Sequence, residues 1–465
     1  MRNLAPMLLL AFCLVAPSFA QDGATSLPSK EQVASATRLA AERGAASEQN
    51  KLGEMYERGE GVARDDVEAV RWYRKAADQG NADAQYNLSV MYEKGRGVAG
   101  DEAEASIRDA AEKGNAAAQS QLGLMYAYGR GVAKDEAEAV RWYRKAGDQG
   151  SVGAQTRLGE MYRDGKGVAQ DDAQAVSFFR KVAEQGYATG QTALAYMYDN
   201  GRGVEQSDKE ALRWYREAAD QGFAPAQYNV GLMYDEGQGV EQDDTQAVAW
   251  YRKAAEQGYA DAQLNLGYAF DKGEGVKKDD VQAVYWYRKA AEQGNSDAQY
   301  NLGQMYDDGT GVTKDPELAV AWWRKAAEQG HVDAQFALGG MYLEGKGVAE
   351  DEAQAAAWFR KAADEGLAEA QLALGLMYEE GMGVPQDYAR AVHWYREAAE
   401  QEDDEAQFHL GEMYEHGRGV ARDYAQAAHW YGEAAEQGNA DAKRALRRLK
   451  ARGRGVWGSI WDWLW

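Results

Sequence analysis

The chain has 465 residues, 45% of them hydrophobic and 27% charged, enough apolar material to build a core and too much for a disordered chain. Its 75 acidic and 52 basic side chains leave a formal charge of −23, a field that repels phosphate backbones and excludes nucleic acid as a partner of the bulk of the molecule. One cysteine, Cys13, leaves no intrachain disulfide and no cysteine-built zinc site.

The chain opens with the pattern of an export leader. Arg2 supplies a positive start, Met7 to Val15 is an apolar run too short to span a bilayer, and Ser18-Phe19-Ala20 places small residues before Gln21. The expectation is a signal peptide over residues 1–20, cleaved after Ala20, and a periplasmic or secreted protein. Lipidation at Cys13 competes, but Phe12 stands where a lipobox wants a small residue. Residues 21–30 read as a flexible leader, and residues 31–45 as a capping helix before the first repeat.

From there to residue 452 the chain repeats itself. Gly-x-Gly-Val begins at Gly59, Gly95, Gly129, Gly165, Gly201, Gly237, Gly273, Gly309, Gly345, Gly381, Gly417 and Gly453, every 36 residues except for one interval of 34 after Gly95. Periods of this length mark arrays of small supersecondary units. Each unit predicts two helices. In helix A the places of Ala84, Gln85, Leu88, Met91 and Tyr92 recur and share one arc at 100° per residue, the packed face. The first glycine of the tetrapeptide then stands where a left-handed cap is wanted. Helix B starts at an N-cap aspartate such as Asp65, Asp243 or Asp279, with Ser207 in one unit and Pro316 at a first helical position. Glu or Gln three residues later, as at Glu68 and Gln246, has the spacing of a capping box. Pairs such as Trp250-Tyr251 are expected to wedge between helices.

The motif Ala-x-x-x-Leu-Gly-x-Met-Tyr-x-x-Gly-x-Gly-Val-x-x-Asp, followed by Ala-x-x-Trp-Tyr-Arg-Lys-Ala-Ala-x-Gln-Gly, resembles the Sel1-like repeat, a relative of the tetratricopeptide repeat. The resemblance covers about Ala46 to Ala451. It implies an all-α fold, an α/α superhelical solenoid of about eleven helix-turn-helix repeats, and a scaffold or adaptor role. Some cysteine-rich members have been described as β-lactamases; the per-repeat cysteines of those members are missing here.

Catalytic patterns do not emerge. Gly-x-Gly-Val lacks the Lys-Ser/Thr of a phosphate loop, and neither Gly-x-Ser-x-Gly nor Ser-x-x-Lys occurs. No cofactor is expected. Of the five histidines, His331, His393, His409, His416 and His429, four crowd into the last two full repeats; a metal site there competes with scattered surface histidine.

What varies between repeats is the arc of helix A opposite the packed face, at the places of Tyr86, Val90 and Glu93. The first two places carry Tyr196, Tyr228, Leu232, Leu264, Tyr268, Tyr300, Phe336, Leu372 and Leu376; the third is often acidic, as at Asp199, Asp235, Asp271 and Asp307. In tetratricopeptide-type solenoids helix A lines the concave groove, so these residues are candidates for gripping a peptide or helix with apolar anchors and basic flanks. The alternative is that they pack onto the next helix A. The expectation is an exported, non-enzymatic scaffold that binds one or more envelope proteins. Rival readings are a periplasmic regulator restraining a sensor or secretion component, a β-lactamase-like or cell-wall-acting enzyme, and a host-directed effector.

The chain closes on residues 453–465. Arg447 and Arg448 belong to a basic run that precedes Trp457, Trp461, Trp463 and Trp465. By repeat phase Gly453 to Val456 is a twelfth turn, with Ser459 at the N-cap place. Two readings stand: a truncated helix B that covers the open end, or a segment that docks peripherally on a membrane or a partner.

Overall fold

The computed structural model describes residues 30–456 apart from 80, 94–95 and 98–100, and every regular element among them is an α-helix. They are α1 (Lys30–Glu42), α2 (Ala46–Arg58), α3 (Asp66–Ala77), α4 (Ala82–Glu93), α5 (Asp101–Glu112), α6 (Ala116–Tyr128), α7 (Glu136–Asp148), α8 (Val152–Asp164), α9 (Asp172–Glu184), α10 (Ala188–Asp199), α11 (Asp208–Asp220) and α12 (Ala224–Glu236). There follow α13 (Asp244–Glu256), α14 (Ala260–Lys272), α15 (Asp280–Glu292), α16 (Ser296–Asp308), α17 (Pro316–Glu328), α18 (Val332–Glu344), α19 (Glu352–Asp364), α20 (Ala368–Glu380), α21 (Tyr388–Ala399), α22 (Asp404–His416), α23 (Tyr424–Gln437) and α24 (Ala440–Val456). Even numbers are A helices and odd numbers B helices. Helices α1 to α4, α5 to α8 and α10 to α24 each pack on their neighbours in sequence, as a solenoid requires. Two compact units arise, Met1–Phe178 and Phe179–Trp465.

The turn between A and B explains its glycines. In the second unit Gly273 ends α14 at φ 79 and donates its N–H to the Ala269 carbonyl. Gly275 follows at φ 63, and a Cβ there would stand 2.1 Å from the Asp244 carbonyl oxygen at the start of the preceding B helix. The first glycine is therefore set by backbone conformation, the second by conformation and lack of room. Glu402 is the one non-glycine at positive φ among the described residues, at 68, in the turn before α22 where other units carry glycine.

The B helices are capped as expected, by half. Asp279 accepts from the backbone of Val281 and Gln282 at 3.1 and 3.0 Å. Its own N–H, which a closed capping box would give to the side chain of Gln282, instead goes to the Phe270 carbonyl at 2.9 Å. The same bond ties Asp65 to Tyr56 and Asp243 to Tyr234, so the third-position Glu or Gln is released; Glu68 pairs with Arg71. That amide-to-carbonyl bond fixes the corner between A and B.

Two contacts recur across most of the helix pairs. The first seats a B-helix ring on an A-helix glycine. A Cβ on Gly267 would meet the Tyr287 ring at 2.7 Å, and Gly231, Gly303, Gly339, Gly375 and Gly411 face Tyr251, Trp323, Phe359, Tyr395 and Tyr431 equally closely. In the first unit Gly53 faces Tyr73 and Gly123 faces Tyr143. Of the Trp-Tyr pairs it is mainly the tyrosine that wedges: Tyr251 is buried, whereas Trp250 lies nearer the surface beneath the Lys253 ammonium, 3.4 Å from its ring centroid.

The second contact is a polar rung. Gln263 is buried; its Nε2 donates to the Ala255 carbonyl at 3.0 Å and its Oε1 accepts from Gln293 Nε2 at 2.7 Å. Gln227 with Gln257, Gln299 with Gln329 and Gln371 with Gln401 repeat it at 2.7 to 2.8 Å. A buried amide is tolerable because both ends are satisfied. One rung is broken: Gln335 Oε1 is buried without a partner, and the residue thirty positions on is Glu365, an acceptor, where the other full-length units have glutamine.

The short repeat keeps its C-terminal register. Gln119 Nε2 donates to the Ala111 carbonyl and Arg108 to the Tyr126 hydroxyl, at the offsets seen in full-length units. Ile107 takes the place of the B-helix tyrosine, so the two missing residues fall at the N-terminal side of α5.

Candidate binding surface

The second unit holds every groove candidate, and the structure sorts them by burial. First-place residues sit in the seams between successive A helices. Tyr228 of α12 packs on Tyr259, the N-cap residue of α14, with ring centroids 5.2 Å apart, and on Tyr251 at 5.8 Å. Burial pushes the Tyr228 hydroxyl up to about 12, so it remains a donor at physiological pH. Tyr300 stacks on His331, the N-cap of α18, at 4.8 Å and 20°. Leu264 is partly buried against the same core, and Phe336 and Leu372 against the core of the following repeats. These five are largely wedges between helices.

Second-place residues behave differently. Tyr196 of α10 is 38% exposed and Tyr268 of α14 is 45% exposed; Leu232 of α12 stands between them, partly buried. The three occupy one place in three successive A helices, so they form a row. Adjacent packed helices lie about 8–10 Å apart, which spaces the two tyrosines by roughly 20 Å. Further along, the second place is Gln304 and then Gly340, and the apolar row is interrupted until Leu376.

The acidic edge is mostly engaged within the protein. Asp235 accepts from the Tyr251 hydroxyl at 2.9 Å, Asp271 pairs with Lys272 at 2.8 Å, and Lys346 reaches Asp307 at 2.7 Å. Lys272 also lies 5.6 Å from the Tyr268 ring centroid. Asp199, half-buried, has its carboxyl raised by desolvation and then by the like charges of Asp208 and Glu236. The edge therefore offers fewer free carboxylates than the sequence pattern implies.

The histidines do not converge. His393 and His429 each approach the glutamate four residues on, at 3.8 and 3.7 Å, and each lies beside its neighbouring tryptophan. His409 stacks on Tyr395 at 5.2 Å. No group of three His, Cys, Asp or Glu fit to hold a metal occurs among the described residues. At the C-terminus Arg448 reaches back to the nearly buried Glu415 at 2.7 Å, and Arg447 is exposed. Trp457, Trp461, Trp463 and Trp465 lie outside the described residues. α24 continues as helix to Val456, through the twelfth Gly-x-Gly-Val, where the other units turn.

One surface feature escapes the helix A analysis. On the B helix α15, Val281 is 63% and Tyr285 49% exposed, four residues apart. The signal was present: Tyr285 replaces the Ala249 and Ala321 of adjacent units.

Comparison with known proteins follows the repeat. A family profile described as Sel1 repeat matches residues 49–81, 82–105, 116–151 and then every 36-residue block from 152 to 439, eleven matches in all. The crystal structure of c5321, a protective antigen present in uropathogenic Escherichia coli strains displaying an SLR fold, is 40% identical, covers 90% of each chain and superposes with a TM-score of 0.62. A Sel1 repeat protein from Oxalobacter formigenes is 37% identical over 66% of this chain and 90% of its own, with a TM-score of 0.53. Among curated proteins none matches. Tandem matches along nearly all of the described helices, and a structural relative of this identity and coverage, place the chain in the Sel1 repeat family.

Proposed function

We propose that the chain is an exported, non-enzymatic scaffold that grips an envelope polypeptide along its A helices, with Tyr196, Leu232 and Tyr268 as the main anchors. Sel1 repeat proteins typically mediate protein–protein interactions, which supports the general role. The observation that carries the particular surface is the exposure of Tyr196 and Tyr268 at one place in α10 and α14, while the first-place residues around them are spent on packing. Tyrosine gives large contact area at low entropic cost and is enriched among residues that dominate binding energy. The partner presents two apolar anchors roughly 20 Å apart, the spacing of alternate A helices. Export is supported by the leader pattern of residues 1–20, and the description of the similar Escherichia coli protein as a protective antigen fits it.

In-cell crosslinking from Leu232 tests the surface, in the native chain and in the Tyr196→Ser/Tyr268→Ser variant. Capture of a defined partner should fall about tenfold or more in the variant, as for loss of binding hot spots. Helicity and thermal midpoint should stay close to those of the native chain, because both side chains are exposed. Unchanged capture, or unfolding of the variant, would remove the row from consideration. Cell fractionation tests export separately, and protein confined to the cytoplasm argues against it.

A further inference from the structure

Two neighbouring B helices depart together from the pattern of the others. On α15, Val281 and Tyr285 stand where α13 has Thr245 and Ala249 and α17 has Glu317 and Ala321. On α17, Leu318 is 41% exposed and stands where α13, α15 and α19 have Gln246, Gln282 and Gln354. The repeat fixes which way these side chains lean. A B-helix tryptophan turns to the preceding B helix: Trp142 of α7 shares a cluster with Ile107 and Ala111 of α5, and Trp358 of α19 packs on the cluster whose last B helix is α17. Leu318 lies one turn before Trp322 and so leans from α17 towards α15. Val281 lies five residues before Trp286, which at 100° per residue puts it on the opposite flank of α15, leaning towards α17. A groove runs between them, its helix axes about 8–10 Å apart. Tyr285 stands on its rim, and Trp322 is half-buried beneath Leu318.

The rim is basic. Lys277 is exposed in the loop that leads into α15, Lys289 lies 5.8 Å from the Tyr285 ring centroid, and Lys325 lies 3.8 Å from that of Trp322. The nearby carboxylates are set aside. Asp280 pairs with Lys278 at 3.2 Å, Glu317 takes the flank of α17 turned to α19, and Glu292 and Glu328 follow the lysines at the helix ends.

We propose that the groove between α15 and α17 takes an acidic, amphipathic segment of another polypeptide, with an apolar side chain entering between Tyr285 and Leu318 and flanking carboxylates meeting Lys277, Lys289 and Lys325. Charge complementarity chooses this occupant. A second copy docked by two-fold symmetry would set these lysines against one another, in a chain whose net charge of −23 already repels itself. The groove belongs to the layer of B helices and does not depend on the A-helix row.

The test selects peptides from a random display library on the full chain, with counter-selection on Tyr285→Ala/Leu318→Gln. That variant carries the residues of neighbouring units at both places, so its thermal midpoint should match the native one. The enriched peptides should hold an apolar residue flanked by Asp or Glu. A synthetic copy of the most enriched peptide should bind the variant about tenfold or more weakly, and Lys277→Glu/Lys289→Glu about fivefold or more weakly. Enrichment of neutral or basic sequences overturns the proposal, as does a failure to find peptides that distinguish the native chain from the variant. A lowered midpoint in Tyr285→Ala/Leu318→Gln would instead assign these side chains to the fold. Self-association in sedimentation velocity that disappears in the same variant would give the groove to a second copy and overturn the proposal.

Discussion

Gln335 shows how a single position can break a pattern that the rest of the chain keeps. Its Oε1 is buried without a partner because Glu365 offers no donor at the place where a glutamine Nε2 is needed. Glu365→Gln should restore the rung. A net hydrogen bond contributes about 0.5–1.5 kcal/mol, and satisfying a buried acceptor adds to the benefit. Denaturant titration should register a gain of about 1 kcal/mol, and an unchanged midpoint would mean the rung contributes nothing. Glutamine recurrence at this place was visible in the sequence and placed on the packed face. Its partner thirty residues on was not, since a contact between successive helices leaves no periodic mark within either one. Tyr228 and Tyr268 pose the same difficulty. Both are aromatic residues on the arc away from the core, yet the N-cap ring of Tyr259 covers one and leaves the other open.

Helices, in contrast, were legible because their signals are local. Cap aspartates, the left-handed glycine and the period of the packed face each act within one turn of chain, and the structure places helices where they point. The half-closed capping box is the exception: the N-cap amide is claimed by a carbonyl of the preceding helix, which no local rule anticipates. Packing between A and B rests on the glycine seat. Gly267→Leu would drive a side chain into the Tyr287 ring and should cost about 1–3 kcal/mol, the usual range for overpacking. Ala195, which takes this place in α10 within the cluster of Tyr215, indicates that one methyl group is accommodated more easily. If Gly267→Leu unfolds at the native midpoint, the seat is not the constraint inferred here.

For the molecule as a whole, the balance of carboxylates sets the response to pH. Asp78, Asp199, Asp403 and Glu412 are raised, each first by burial, so ionising them penalises the native state. That penalty is relieved as pH falls through their elevated values, and neutralising part of the −23 charge reduces self-repulsion in the same direction. Asp66 acts oppositely. Its hydrogen bond to Arg96 holds it at about 2, so its contribution is present above its ordinary value of 3.8 and is lost as pH drops through 2. The thermal midpoint should therefore rise as pH falls from neutral through the elevated values toward the ordinary carboxylate range, and fall in stronger acid as Asp66 is protonated between 3.8 and about 2. Glu412→Gln should flatten the first limb, and a midpoint that climbs steadily from pH 5 to 8 would contradict the assignment.

The glycine seat also governs what two copies of the chain can do to each other. A solenoid is an open-ended stack, and a stack whose last face matches its first grows into a fibre. Here neither face completes the joint. At the front, α1 carries Thr37 where a B helix would offer its ring, and at the back Arg447 fills the glycine hollow. Joining one copy end to end on another through the repeat's own joint would therefore need a ring in place of Thr37 and a glycine in place of Arg447.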